Sequence, residues 1–211
     1  MPKIPAEYEN NVFINCPFDS LYYPLFNAIV FTVHDAGFRP RCALEVIDGG
    51  QFRLEKIMNI ILECRYGIHD ISRTERDKDT KLPRFNMPLE LGLDIGCRNF
   101  GSARYRNKNI LILDTEPHRY QKFISDIAGQ DINAHAGEID KAIGHVRNWL
   151  RTASGKRNIP SGSHIHLRYE SFNLVLPDLC RELRLDLQAL HFVDFSFLIV
   201  TWLHKLQYQV S

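Results

Sequence analysis

Short runs of β-branched and aromatic residues alternate with stretches whose apolar residues recur at helical spacing, and this alternation most limits how the 211-residue chain can fold. The runs "NVFINCPF" (11–18), "FRPRCALE" (38–45), "RYGIHDIS" (65–72) and "NILILD" (109–114) read as strands. Pro40 places the second of these at a sheet edge. Between them, residues 21–36 carry Leu21, Leu25, Ala28, Ile29 and Thr32 on one stripe, with Gly37 as a left-handed stop. Leu54, Ile57, Met58, Ile61 and Leu62 mark a second helix. A third is expected from Asn86, as cap, to about Cys97, with Pro88 in its first turn. Further helices are predicted at 117–128, closed by Gly129, and at 138–152, where Ile139, Ala142, Ile143, Val146, Trp149 and Leu150 share a face. "QDIN" (130–133) reads as a short edge strand. Strand and helix in turn imply parallel strands joined by right-handed crossovers, hence an open α/β sheet covered on both faces.

This pattern assigns residues 1–153 to an α/β domain. The stretch "SGKRNIPSGS" (154–163) reads as a linker, and 164–211 as a helical extension. Leu174, Leu179 and Leu183, then Phe195, Leu198, Ile199 and Trp202, are the expected buried residues of two helices that dock on the sheet domain or on a second chain. The polar segment 73–83 reads as an exposed loop. Lys and Arg total 26 against 25 Asp and Glu, which gives no reason to expect a direct nucleic-acid or membrane-surface partner. Five dispersed cysteines, no signal-like start and no apolar run long enough to cross a bilayer point to a reducing cytoplasm.

Ligands of open α/β sheets bind beyond the carboxyl ends of the strands, where strand order reverses. The residues expected there are Cys16, Pro17, Phe18 and Asp19 after strand one, Glu45 after strand two, Asp70, Ser72 and Arg73 after strand three, and Asn86, Met87 and Glu90 at the next helix start. Neither glycine-rich phosphate loop, G-x-G-x-x-G or G-x-x-x-x-G-K-[ST], is present. "HIH" (164–166) offers too few ligands for a metal and reads as surface histidines. Glu90 stands out in "RFNMPLELGLDIG". A first-turn carboxylate is stabilised in its ionised form by the helix dipole, by about 0.3–1 kcal/mol. Gly92 and Gly96 would let that helix press against the sheet and turn Glu90 toward the crevice.

In order and spacing, "VFINCPFD", "GIHDIS", "NMPLELGLDIG" and "NKNILIL" resemble the TIR-like and nucleoside 2-deoxyribosyltransferase-like superfamily, closest in flavour to bacterial TIR-like NADase domains of anti-phage defence. The resemblance spans about residues 11–114. It implies a flavodoxin-like fold with strand order 2-1-3-4-5 and N-glycosidic chemistry on a nucleotide, with NAD as a substrate and no separate cofactor. It also implies a homo-oligomer, answering to a sensor protein or an activating signal. Glu90 falls at the family's catalytic carboxylate, Asp70 and Ser72 at the ribose-facing strand end, and Cys16 to Asp19 at the nucleotide loop. The "NCPFD" loop and the tail after Ser154 depart from the pattern, so substrate choice rests on chemistry. Nicotinamide leaves NAD as a neutral pyridine and needs no proton, so one carboxylate near C1′ suffices. A purine or pyrimidine nucleoside needs an additional acid, which Asp70 or Asp19 could supply for a nucleosidase or deoxyribosyltransferase. A nucleotide-binding module without turnover is the non-enzymatic reading.

Overall fold

The structure, a computed structural model, describes residues 7–74 and 85–209, with side chains to residue 206. Five strands form one all-parallel sheet: β1 (Asn11–Asn15), β2 (Arg39–Arg41), β3 (Tyr66–Asp70), β4 (Asn109–Asp114) and β5 (Ile132–Ala134), in the order β2-β1-β3-β4-β5. This is the flavodoxin-like arrangement, with its strand order reversing between β1 and β3. Six helices accompany the sheet: α1 (Tyr23–Asp35), α2 (Arg53–Leu62), α3 (Asn86–Phe100), α4 (Ile139–Ser154), α5 (Gly162–Glu182) and α6 (Phe192–Gln209). Among the described residues no helix is long and apolar enough to cross a membrane.

Alternation along the strands divides the core between the two faces. Val12, Ile14, Tyr66, Ile68, Leu111 and Leu113 join a cluster with α1, α4, α5 and α6. Phe13 points the other way into α2, and Ile112 into a third cluster with Met87 and Leu91 of α3. Residues 25–33 of α1 are buried apart from Asn27, so this helix lies inside the molecule rather than on one face of it. The C-terminal pair is what covers it. Phe172 of α5 and Trp202 of α6 both stack against Phe31, and Arg168 pairs with the half-buried Asp35 at the end of α1. The extension therefore docks on the chain's own sheet layer.

Several elements depart from the sequence expectation. Leu21 precedes α1 and is exposed; in α2, Ile57, Ile60 and Ile61 are buried while Leu54, Met58 and Leu62 stay outside. The segment 117–128 forms two 3₁₀ turns, Arg119–Lys122 and Ser125–Ile127, instead of a helix. Leu174 and Leu183 are exposed, whereas Phe195, Leu198 and Ile199 are buried as the spacing predicts. "HIH" lies at the start of α5, with His164 exposed and His166 3.5 Å from Glu170. Of the loop read at 73–83, residues 75–83 lie outside the described residues.

Candidate functional site at the carboxyl ends of β1 and β3

Two strand ends and one helix meet at the switch point. β1 ends at Asn15 and Cys16, β3 at Asp70, and α3 carries Glu90 past them. Asn15 joins the parts: its amide nitrogen donates to the Met87 carbonyl at 2.9 Å and lies 3.0 Å from His69 Nδ1. A carbonyl only accepts, so the group facing it is the NH₂, and His69 Nδ1 is an acceptor as well. The His69 proton therefore sits on Nε2, 3.0 Å from Asp94 Oδ2. On its other side Asp94 lies 3.1 Å from the buried Lys108 ammonium, which also donates to the Ile61 and Cys64 carbonyls. Burial pushes the Asp94 carboxyl up, but the His69 hydrogen bond and the Lys108 charge outweigh it and hold it below the usual range.

This buried cluster draws α3 onto β3. A Cβ on Gly67 would meet Asp94 Oδ2 at 2.2 Å, so only glycine fits beneath the carboxylate. Gly92 and Gly96, expected to give the close approach, would meet nothing within 4 Å. The small residue required for close packing is on the strand, because the polar cluster rather than a smooth helix face makes the contact.

Glu90 is the fifth residue of α3, in its second turn, so the first-turn placement is corrected. The helix starts with Phe85 as cap residue, makes no side-chain cap there, and leaves Asn86 exposed in its first turn. Glu90 is 8% exposed, and among the described residues no hydrogen bond reaches its carboxyl. Burial raises its pKa from 4.5 to about 7, with Arg53 at the start of α2 opposing the rise. The expectation of a dipole-held ionised carboxylate is thus overturned: the dipole falls off within the first turn and is typically worth about 0.3–1 kcal/mol, and desolvation outweighs it.

The other acids expected at the site are occupied. Asp70 accepts from the Tyr22 hydroxyl and the Ser72 amide (2.8 Å), and His135 Nε2 lies 2.9 Å away. The Gly137 amide donates to His135 Nδ1 at 2.9 Å, which leaves Nε2 as the protonated nitrogen facing Asp70. Asp70 thereby ties together the loops after β1, β3 and β5. Asp19 accepts from the amides of Leu21 and Tyr22, both at 3.1 Å, and pairs with Arg73 at 3.2 Å. Glu45 does not join the crevice: Arg41 binds it at 2.6 Å and also bridges to Glu63. The Met87 side chain is core, packed with Ile71, Leu91, Ile112 and Tyr120. Pro17 is buried, and Phe18 stacks edge-on against Phe26.

Cys16 is buried where these groups converge. Burial pushes its thiol well up, and Asp70, Glu90 and Asp19 add to the effect, so it is no thiolate nucleophile. Arg119 closes the β4 side by binding Asp114, Thr74 and the Ile71 carbonyl together. Among the described residues no group of three His, Cys, Asp or Glu side chains is arranged to hold a metal.

His69, Asp94, Lys108, Tyr22 and His135 escaped the sequence reading. One signal was present for two of them: Asp94 lies four residues after Glu90 on an otherwise apolar helix face, and His69 sits inside a wholly buried strand. No matching family model, curated protein or solved structure is found for this chain.

Proposed function

We propose that the chain is an NAD glycohydrolase or cyclase with Glu90 as its catalytic carboxylate. The observation that carries this reading is the contrast among the four buried carboxylates of the described residues. Asp70, Asp94 and Asp114 each have protein partners, and Glu90 alone has no hydrogen bond from a described residue. A desolvated carboxyl with no partner among the described residues, close to the carboxyl end of β1, suits a cationic ligand. The nicotinamide ring of NAD carries such a charge next to C1′. As the C1′–N bond breaks, its electron pair leaves with the ring nitrogen. The positive charge then develops at C1′, where an ionised Glu90 stabilises it until water or an internal nucleophile attacks.

Release of an ordinary nucleobase would need a proton from another acid. Asp70 and Asp19 are taken up by internal donors, which favours the leaving group that departs unassisted. Because Glu90 must be ionised to act, kcat/KM for NAD is expected to rise with pH and level off above about 7. Mass spectrometry of NAD and deoxynucleosides incubated with concentrated protein tests the reading. Consumption of NAD that Glu90→Gln lowers by 100-fold or more, on the order expected for loss of a charge-stabilising group, supports it. Exchange of bases between deoxynucleosides favours a deoxyribosyltransferase instead. Saturable binding without turnover at high protein concentration favours a signal-binding module. Action in anti-phage defence and assembly into a homo-oligomer belong to the same proposal and rest on the superfamily resemblance; a cytoplasmic setting belongs to it too and rests on the five dispersed cysteines.

A further inference from the structure

A hollow lies at the β5 edge of the sheet, and its chemistry is that of a strand-addition site. β5 pairs with β4 only from Ile112–Ile132 to Asp114–Ala134, so residues 109–111 of β4 have no strand partner on that side among the described residues. The hydrogen bonds fix which way they face. Asn109 N–H donates to the Arg65 carbonyl at 3.1 Å and Leu113 accepts from Ile71 at 3.0 Å, so the odd residues of β4 turn toward β3. Asp114 accepts from His135 N–H at 2.9 Å, so the even residues turn outward. Ile110 therefore directs its N–H and C=O to the outer edge, in line with β5.

These residues floor a cleft of about 730 Å³ between β5 and α4, within the roughly 300–1,000 Å³ typical of ligand sites. Among the described residues no lysine or arginine lines it and Asp131 is the one acidic side chain; His118 and His145 also line it, so the cleft offers phosphates and other anions no permanent cation. Gln130, Asn133 and Asn148 bring side-chain amides to the walls, with the Tyr120 and Trp149 rings beside them. Asn109 gives its amide oxygen to Trp149 Nε1 at 2.6 Å, leaving its N–H groups available.

We propose that this cleft binds an extended peptide of a partner protein, uncharged or basic, added to the open half of β4. Backbone groups of Ile110 would supply the ladder bonds, the neighbouring amides would read the peptide backbone, and Asp131 would favour a Lys or Arg on the ligand. A second copy pairing edge to edge is disfavoured by shape, because β4 is recessed in both copies and two concave sites cannot meet. The proposal does not depend on the chemistry at Glu90.

Panning a random heptapeptide phage library on the full chain tests it, with the enriched peptides resynthesised for calorimetry. Ile110→Pro removes the outward N–H and leaves the β3 ladder intact, while Asn148→Arg places bulk and positive charge in the cleft. The expected result is enriched peptides that bind wild type and lose about fivefold or more with Ile110→Pro, on the order of one ladder bond. Peptides N-methylated at alternate residues should weaken likewise, and amide exchange at Ile110 should slow on binding. Circular dichroism checks that both variants remain folded. Absence of enrichment, or peptides that bind both variants and their N-methylated forms equally well, overturns the proposal.

Discussion

Glu90 stands one residue further into α3 than its sequence context suggests, which carries it from the first turn into the second and changes its chemistry. In the first turn, unpaired N–H groups would favour the charged form; in the second, burial favours the neutral one. Its carboxyl keeps a proton in the folded chain up to about pH 7, whereas the unfolded chain releases it above 4.5. The folded state therefore binds more protons across that window, and this group's contribution to stability falls as pH rises through it. Glu90→Gln, which cannot ionise, is expected to match wild type in urea unfolding near pH 4 and to exceed it by about 3 kcal/mol at pH 8. A variant no more stable at pH 8 would show that the carboxyl has an ionic partner in solution.

Among the elements, α3 against β3 decides the geometry of the crevice. The pair is joined by a buried polar cluster, in which Asp94 fills the space over Gly67. Gly67→Ala forces the carboxylate off His69 and Lys108, so it combines overpacking with a broken buried ion pair. A loss of roughly 3 kcal/mol or more in chemical denaturation is expected. Gly92→Ala, in open space on the same helix, should be neutral or gain up to about 1 kcal/mol from helix propensity. Hydrophobic spacing could locate α3, but it holds no record of which strand residue lies beneath it. For the same reason α2 was legible as a helix while its buried side was misjudged. Ile60, off the predicted stripe, faces the sheet, because the packing angle rotates the helix relative to its apolar maximum.

For the whole molecule, the C-terminal helices are not an appendage. Phe172, Phe195, Leu198 and Ile199 share one core with Phe26, Ile29 and Phe31 of α1, and the stretch 154–163 joins α4 to α5 across that packed layer. A chain ending at Ser154 would expose most of one side of α1, a helix with almost no polar face. Such a fragment is expected to lack a cooperative thermal transition and to elute as aggregates in size-exclusion chromatography, while the full chain melts as one unit. A soluble fragment with a sharp transition would instead show that the α/β portion folds alone.

By itself the sequence determined the succession of strands and helices apart from 117–128, the parallel sheet and the segments that end at its carboxyl edge. Those follow from periods of two and 3.6 residues, which depend only on neighbours along the chain. Tertiary structure alone decided that Asp70 and Asp19 are held by internal donors, that Glu45 is drawn aside by Arg41, and that Glu90 is desolvated. Each outcome depends on partners contributed by other strands and loops and on exclusion of water. A local pattern places a carboxyl on a face, but its charge is set by what the fold brings to that face.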